Sequence, residues 1–200
     1  MWLRRRDLGA AAELCARAFR DAPHIVRFFS DASRRPRDTV ALFRMRIRYG
    51  LRFGEVHVTA PDPVGIAVWL PSEAASMTTW REVLAGGIGL YRAVGADAVA
   101  RMTQVSRHNE QLRREHAREP YWFLSILAVA PDHQGHGHGA ALVRATLARL
   151  DRDRTSCYAE TTDPSVLPFY ERLGFRVCAE SAVPGIDLTV FALVRPPAPV

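Results

Sequence analysis

The segment Leu127–Ala140 narrows what this chain can fold into more than any other. It overlaps the end of an apolar run, Trp122 to Val129, that reads as a buried strand. Pro131-Asp132 breaks the run. After Gln134, the glycines Gly135, Gly137 and Gly139 alternate with His136 and His138 and lead into Ala140. An Ala- and Leu-rich helical pattern runs from about Gly139 to Leu150, with Val143, Leu147 and Leu150 on one stripe. A strand, a glycine loop and a helix N-terminus, in that order, make a cradle for an anion. Glycine lets the backbone approach a phosphate closely and adopt positive φ. The N–H groups of the first helical turn point at the anion, and the helix dipole favours negative charge there. A phosphorylated ligand is therefore expected at this loop.

Two common phosphate sites do not fit. A dinucleotide loop needs Gly-x-Gly-x-x-Gly, whereas the spacing here is Gly-x-Gly-x-Gly after a glutamine. A Walker loop needs Gly-Lys-Ser/Thr, and this loop has no lysine.

Strand and helix patterns alternate along the rest of the chain. Asp7 to Phe19 is an amphipathic helix pattern with Leu8, Ala11, Ala12, Cys15 and Phe19 on one face. A short helical segment, His24 to Ser30, follows. Thr39 to Phe53 repeats apolar residues at Val40, Phe43, Ile47 and Leu51, and Gly54 is placed to stop it. Glu55–Val58 and Val64–Leu70 form a hairpin around a turn at Pro61-Asp62-Pro63. The stretch 71–119 is expected to hold two or three helices joined by Gly86, Gly87 and Gly89, an insertion of the kind that often closes over a substrate. After the central strand and its helix, Ser156–Thr161 is the next strand. Asp163-Pro164 starts a short helix that ends at Leu173-Gly174. Phe175–Ala179 and Leu188–Val194 are the last strands, and 196–200 is a frayed tail. The pattern implies one domain over 1–195, a mixed α/β sheet with helices on both faces.

Composition limits the partners. Hydrophobic residues make up 48% of the chain, enough for a core, and the net charge is +6. The arginine clusters, among them Arg44-Arg46-Arg48 and Arg113-Arg114, read as solvated helix faces rather than a nucleic-acid surface. Cys15, Cys157 and Cys178 lack metal or redox spacing and read as small buried hydrophobes in a reducing compartment. Glu13 and Arg17 interrupt any signal-like run, and no apolar stretch is long enough for a membrane span. The expected location is the cytoplasm.

Two motifs carry a resemblance. Gln134-x-x-Gly137-x-Gly139 on a strand–loop–helix resembles the acetyl-CoA pyrophosphate loop of the GNAT superfamily of N-acetyltransferases. Pro168-Phe-Tyr170-Glu-Arg-Leu-Gly174-Phe175 resembles that superfamily's C-terminal helix, with a tyrosine one turn before a Gly-Phe stop. One helix and one strand separate the motifs, as the superfamily requires. Within it, the stretches between Glu119 and Val177 resemble the puromycin N-acetyltransferases, while 71–118 matches much less well.

The resemblance implies a mostly antiparallel twisted sheet flanked by helices, with a splayed central strand pair that binds acetyl-CoA. Leu127, Ala128 and Val129 would offer backbone groups to the pantetheine arm. Gln134, Gly135, His136, Gly137, His138, Gly139 and Ala140 would hold the pyrophosphate, with no metal. An N–H near Val129 would polarise the acetyl carbonyl in the manner of an oxyanion hole. Tyr170 would protonate the departing thiolate. The superfamily often has asparagine seven residues before that tyrosine; here the position is Asp163, which can cap a helix but cannot donate a hydrogen bond when ionised. Glu160 is the first choice for the base that takes the amine's proton, with Glu55, His57, Glu73 and a water chain left open.

The expected activity is acetylation of a small-molecule primary amine, such as puromycin or another antibiotic, by a monomer or homodimer. A protein or aminoacyl-tRNA acetyltransferase is the first alternative, and a non-catalytic acetyl-CoA-binding module the second.

Overall fold

A computed structural model describes residues 1–61 and 63–198. Its centre is β3 (Tyr121–Val129), and side-chain alternation along this strand divides the core in two. Tyr121 and Phe123 face one core, and Leu124 faces the other. One extra residue, Ser125, then enters the strand: Trp69 pairs with Leu124, but its neighbour Val68 pairs with Ile126. A bulge of this kind reverses the parity of every later side chain. Ile126 and Ala128 therefore rejoin the first core, and Leu127 packs against the second.

The neighbours of β3 are β2 (Gly65–Pro71), antiparallel, and β4 (Ser156–Thr161), parallel. With β1 (Glu55–Val58), β5 (Arg176–Ala182) and β6 (Thr189–Arg195), the order is β1-β2-β3-β4-β6-β5. Among the described residues only the β3–β4 pair is parallel. The mixed, mostly antiparallel sheet expected from the sequence is thus present.

On the first face lie α1 (Leu8–Ala18), α2 (Pro23–Phe28), α3 (Arg35–Phe53) and α7 (Ala96–His116). On the second lie α8 (His138–Arg152) and α9 (Leu167–Glu171). Val143, Leu147 and Leu150, the stripe seen in the sequence, are buried on α8 together with Leu142, in one cluster with Trp69, Cys157 and Ala159.

The insertion holds four helices rather than two or three: α4 (Ser72–Ala75), α5 (Thr79–Ala85), α6 (Gly87–Val94) and α7. Gly86 at φ +104° ends α5 in the left-handed region, so two short helices replace one loose segment. The turn expected at Pro61-Asp62-Pro63 includes Asp62, outside the described residues. At the C-terminus, Ala198 N–H donates to Asp151 Oδ1 at 2.8 Å and Arg154 donates to the Ala198 carbonyl, so the chain is held that far. The expected fraying does not begin at 196, and residues 199–200 lie outside the described set. Among the described residues, no helix is long and apolar enough to cross a membrane.

Candidate active site

The parallel pairing of β3 and β4 ends at Leu124↔Ala159, although β3 continues to Val129 and β4 to Thr161. Beyond that point the strands part. Ala130 N–H donates to the Val64 carbonyl at 2.8 Å. In an antiparallel ladder this turns the backbone groups of Ala128 and Ala130 towards β2, and those of Leu127 and Val129 towards the gap. The gap opens into a cleft of about 1100 Å³.

Of the residues expected to bind cofactor, Leu127, Ala128, Val129, Gln134, Gly135, Gly137, His138, Gly139 and Ala140 line this cleft. Two details differ from expectation. The backbone of Ala128 serves the sheet, so only Leu127 and Val129 present theirs to the gap. His136 is outside the lining: its Nδ1 bonds back to the Gln134 carbonyl at 2.8 Å. Gln134 itself donates to the Val129 carbonyl at 3.1 Å, tying the loop to the strand end.

The loop's geometry suits an anion. Gly135 and Gly137 sit at φ +78° and +81°, where a side chain is strained, and a Cβ on either would enter open space. Gly137 caps α8, and the first intrahelical bond runs from Ala141 N–H to the Gly137 carbonyl. Among the described residues, the N–H groups of Gly137, His138, Gly139 and Ala140 have no backbone acceptor. The exposed Arg144 and Arg172 also line the cleft.

Tyr170 also lines the cleft and is 8% exposed, held between the rings of Phe169 and Phe175. Gly174 at φ +87° ends its helix, and Phe175 N–H bonds the Tyr170 carbonyl at 3.1 Å. The phenol has no hydrogen-bond partner among the described residues. Burial pushes its pKa well above the ordinary value, so it stays protonated. Asp163 spends its carboxylate as a cap, accepting from Ser165 N–H at 2.9 Å.

Glu160 enters from the other face of the sheet, on the side of Tyr158 and α7. Its side chain is 9% exposed; Arg113 Nη1 reaches Oε1 at 2.6 Å and Asn109 Nδ2 reaches Oε2 at 2.7 Å. Burial raises its pKa above the ordinary value despite the opposing pull of Arg113 and Asn109. The other base candidates are elsewhere. Glu55 and His57 lie on β1, two strands from the gap, where Arg149 grips Glu55 at 2.7 and 3.0 Å. Glu73, on α4, does not line the cleft either.

Several cleft residues escape sequence reasoning. Arg113 is 5% exposed, not on a solvated face, and Arg46 is half-buried in the cleft wall. Each continues an apolar helix stripe: Arg113, one turn after Asn109, follows Met102 and Val105, and Arg46 follows Leu42 and Phe43. Polar residues on such a stripe were the available signal. His24 also lines the cleft; its Nδ1 lies 2.9 Å from Thr162 Oγ1, and Phe19 and Phe28 meet its ring edge to face. Burial, helped by Arg46, pushes its pKa down to about 4.

Residues 84–177 match the family described as acetyltransferase (GNAT) domain. That match covers a little under half of the chain and points to an N-acetyltransferase; the GNAT fold implies use of acetyl-CoA. Solved structures extend the fold over the whole chain. A histone acetyltransferase HPA2 and related acetyltransferase from Corynebacterium glutamicum superposes with a TM-score of 0.72 at 21% identity, covering 100% of this chain and 96% of that one. Arylalkylamine N-acetyltransferase 2 from Aedes aegypti gives 0.64 at 12% identity, covering 99% and 98%. Chaetomium thermophilum Naa20, crystallised with a bisubstrate analogue, gives 0.52 at 11%, covering 98% and 85%. At these identities the likeness is one of fold. The GNAT domain match includes β3, the glycine loop and Tyr170, whereas α1, α2 and α3 precede it.

Proposed function

We propose that this protein transfers an acetyl group from acetyl-CoA directly to a small-molecule primary amine. The observation that carries the reading is the β3–β4 gap, which Tyr170 and Glu160 reach from opposite faces of the sheet. When bound, acetyl-CoA supplies the activated acyl group. The free N–H groups of Gly137 to Ala140 hold its pyrophosphate, helped by Arg144 and Arg172. Leu127 and Val129 hold the arm as an added strand would be held, and Val129 N–H faces the acyl oxygen. An amine attacks only when neutral; Glu160, with its raised pKa, takes the proton directly or through water. Tyr170, neutral and without a partner, donates its proton to the sulfur.

The resemblance to the puromycin N-acetyltransferases puts puromycin in the first test panel, with antibiotic inactivation as the corresponding role. The assay follows CoA thiol release over a panel of amines, peptides and aminoacyl-tRNA, with acetyl-CoA affinity measured separately. Release with small amines supports the proposal. Faster turnover of the macromolecules would move the protein to the peptide or tRNA class. Acetyl-CoA binding with no release from any acceptor would make it a binding module.

A further inference from the structure

The acceptor side of the cleft carries an unspent positive charge. Arg46 on α3 lines the wall shared with Asn109, Arg113 and Glu160, and it is half-buried. It makes no hydrogen bond or ion pair among the described residues. The carboxylate of Glu160 attracts it from beyond contact distance, while its two oxygens accept from Arg113 and from Asn109. Glu82 also attracts it from beyond contact distance and does not line the cleft. Removing a guanidinium from bulk water without a partner is costly. At this position it also repels an incoming ammonium group. Both costs fall if the acceptor brings its own anion. A guanidinium presents parallel N–H groups that match a carboxylate in two hydrogen bonds. Apolar side chains also line this cleft, Phe28, Phe43, Met77 and Met102 among them.

We infer that the acceptor is an amine that also carries a carboxylate and an apolar or aromatic group, and that Arg46 holds the carboxylate. This rests on the reading of the cleft as an amine-acetylating site. Arg46 determines specificity by fixing the acceptor, while Glu160 and Tyr170 act on protons.

The test uses matched acceptors: apolar and aromatic amino acids, their amides, and the amines lacking the carboxyl group, with puromycin as a further primary amine without a carboxylate. Initial rates of CoA release give kcat/KM for each with the full chain. The acids should exceed their amides by about 10- to 100-fold, the worth of a hydrogen bond to a charged group. Arg46→Met should erase that preference through KM, and Arg46→Lys should restore part of it. An unchanged affinity for acetyl-CoA shows that each variant is folded. Amides or puromycin turned over as well as the acids, or a preference that survives in Arg46→Met, would overturn the inference and leave the amine-acetylating reading standing. No CoA release from any acceptor, with acetyl-CoA still bound, would overturn both.

Discussion

Burial moves the proton equilibria of three side chains that line the cleft, Tyr170, Glu160 and His24. Tyr170 stays a phenol because burial raises its pKa, and its hydroxyl has no competing partner. Tyr170→Phe should lower kcat by about 100-fold, the usual worth of a positioned acid, with the acetyl-CoA affinity unchanged. Steady-state rates beside direct binding check this, and an unaltered kcat would remove Tyr170 from the chemistry. Glu160 is raised above the ordinary glutamate value of 4.5. The rate should therefore climb with pH through a step displaced upward from that value, and Glu160→Gln should abolish the step. His24 moves the other way. Unfolded, its imidazole takes a proton near 6.5, and folded, only near 4. Across that window the unfolded chain binds more protons, so stability falls as the pH drops from about 6.5 to about 4. Thermal melts of the native chain and His24→Gln should differ most at the acid end of this window; parallel curves would refute it. Of these three residues, Tyr170 and Glu160 were legible in sequence, because each sits in or beside a motif. His24 was not, because its place in the cleft depends on Thr162, distant in the chain.

At the scale of elements, the glycine loop and its helix act as one unit. Gly137 is both the left-handed cap of α8 and the place where the backbone meets open space. Gly137→Val adds strain at positive φ and fills that space with a side chain. Acetyl-CoA affinity should fall by at least about 100-fold, while the fold loses only the 1–2 kcal/mol or so that a left-handed residue costs. Calorimetric titration paired with denaturant unfolding separates the two effects, and retained affinity would mean that the anion lies elsewhere. This unit was legible because its torsions and its free N–H groups arise within a few consecutive residues. The bulge at Ser125 was not. The stretch Trp122–Val129 is apolar almost throughout, so nothing in its pattern marks where the alternation reverses. The insertion was half legible: its helical content showed, but the division into α5 and α6 depended on Gly86 adopting a left-handed turn.

For the molecule as a whole, the cleft is basic. Arg17, Arg20, Arg46, Arg113, Arg144 and Arg172 line it, against Asp21, Glu160 and Asp163. Such a cleft draws in a polyanion, and salt screens that attraction over roughly 10 Å at 0.1 M. Acetyl-CoA binding should weaken as salt rises, and Arg144→Glu with Arg172→Glu should both weaken it and flatten the salt dependence. A salt-independent dissociation constant would count against an electrostatic entry. The order of strands and helices, the anion loop and the tyrosine helix were determined by the sequence itself, because periodicity, glycine torsions and helix caps are local properties. The tertiary structure alone decided which charges meet. Arg113 finds Glu160 across 47 positions, Arg46 is left without a partner, and Glu55 is taken away by Arg149. Those outcomes follow from strand register and from the face each strand turns to its helices. A single inserted residue in β3 reverses that face, and the gap beside it is where the glycine loop, Tyr170 and Glu160 converge.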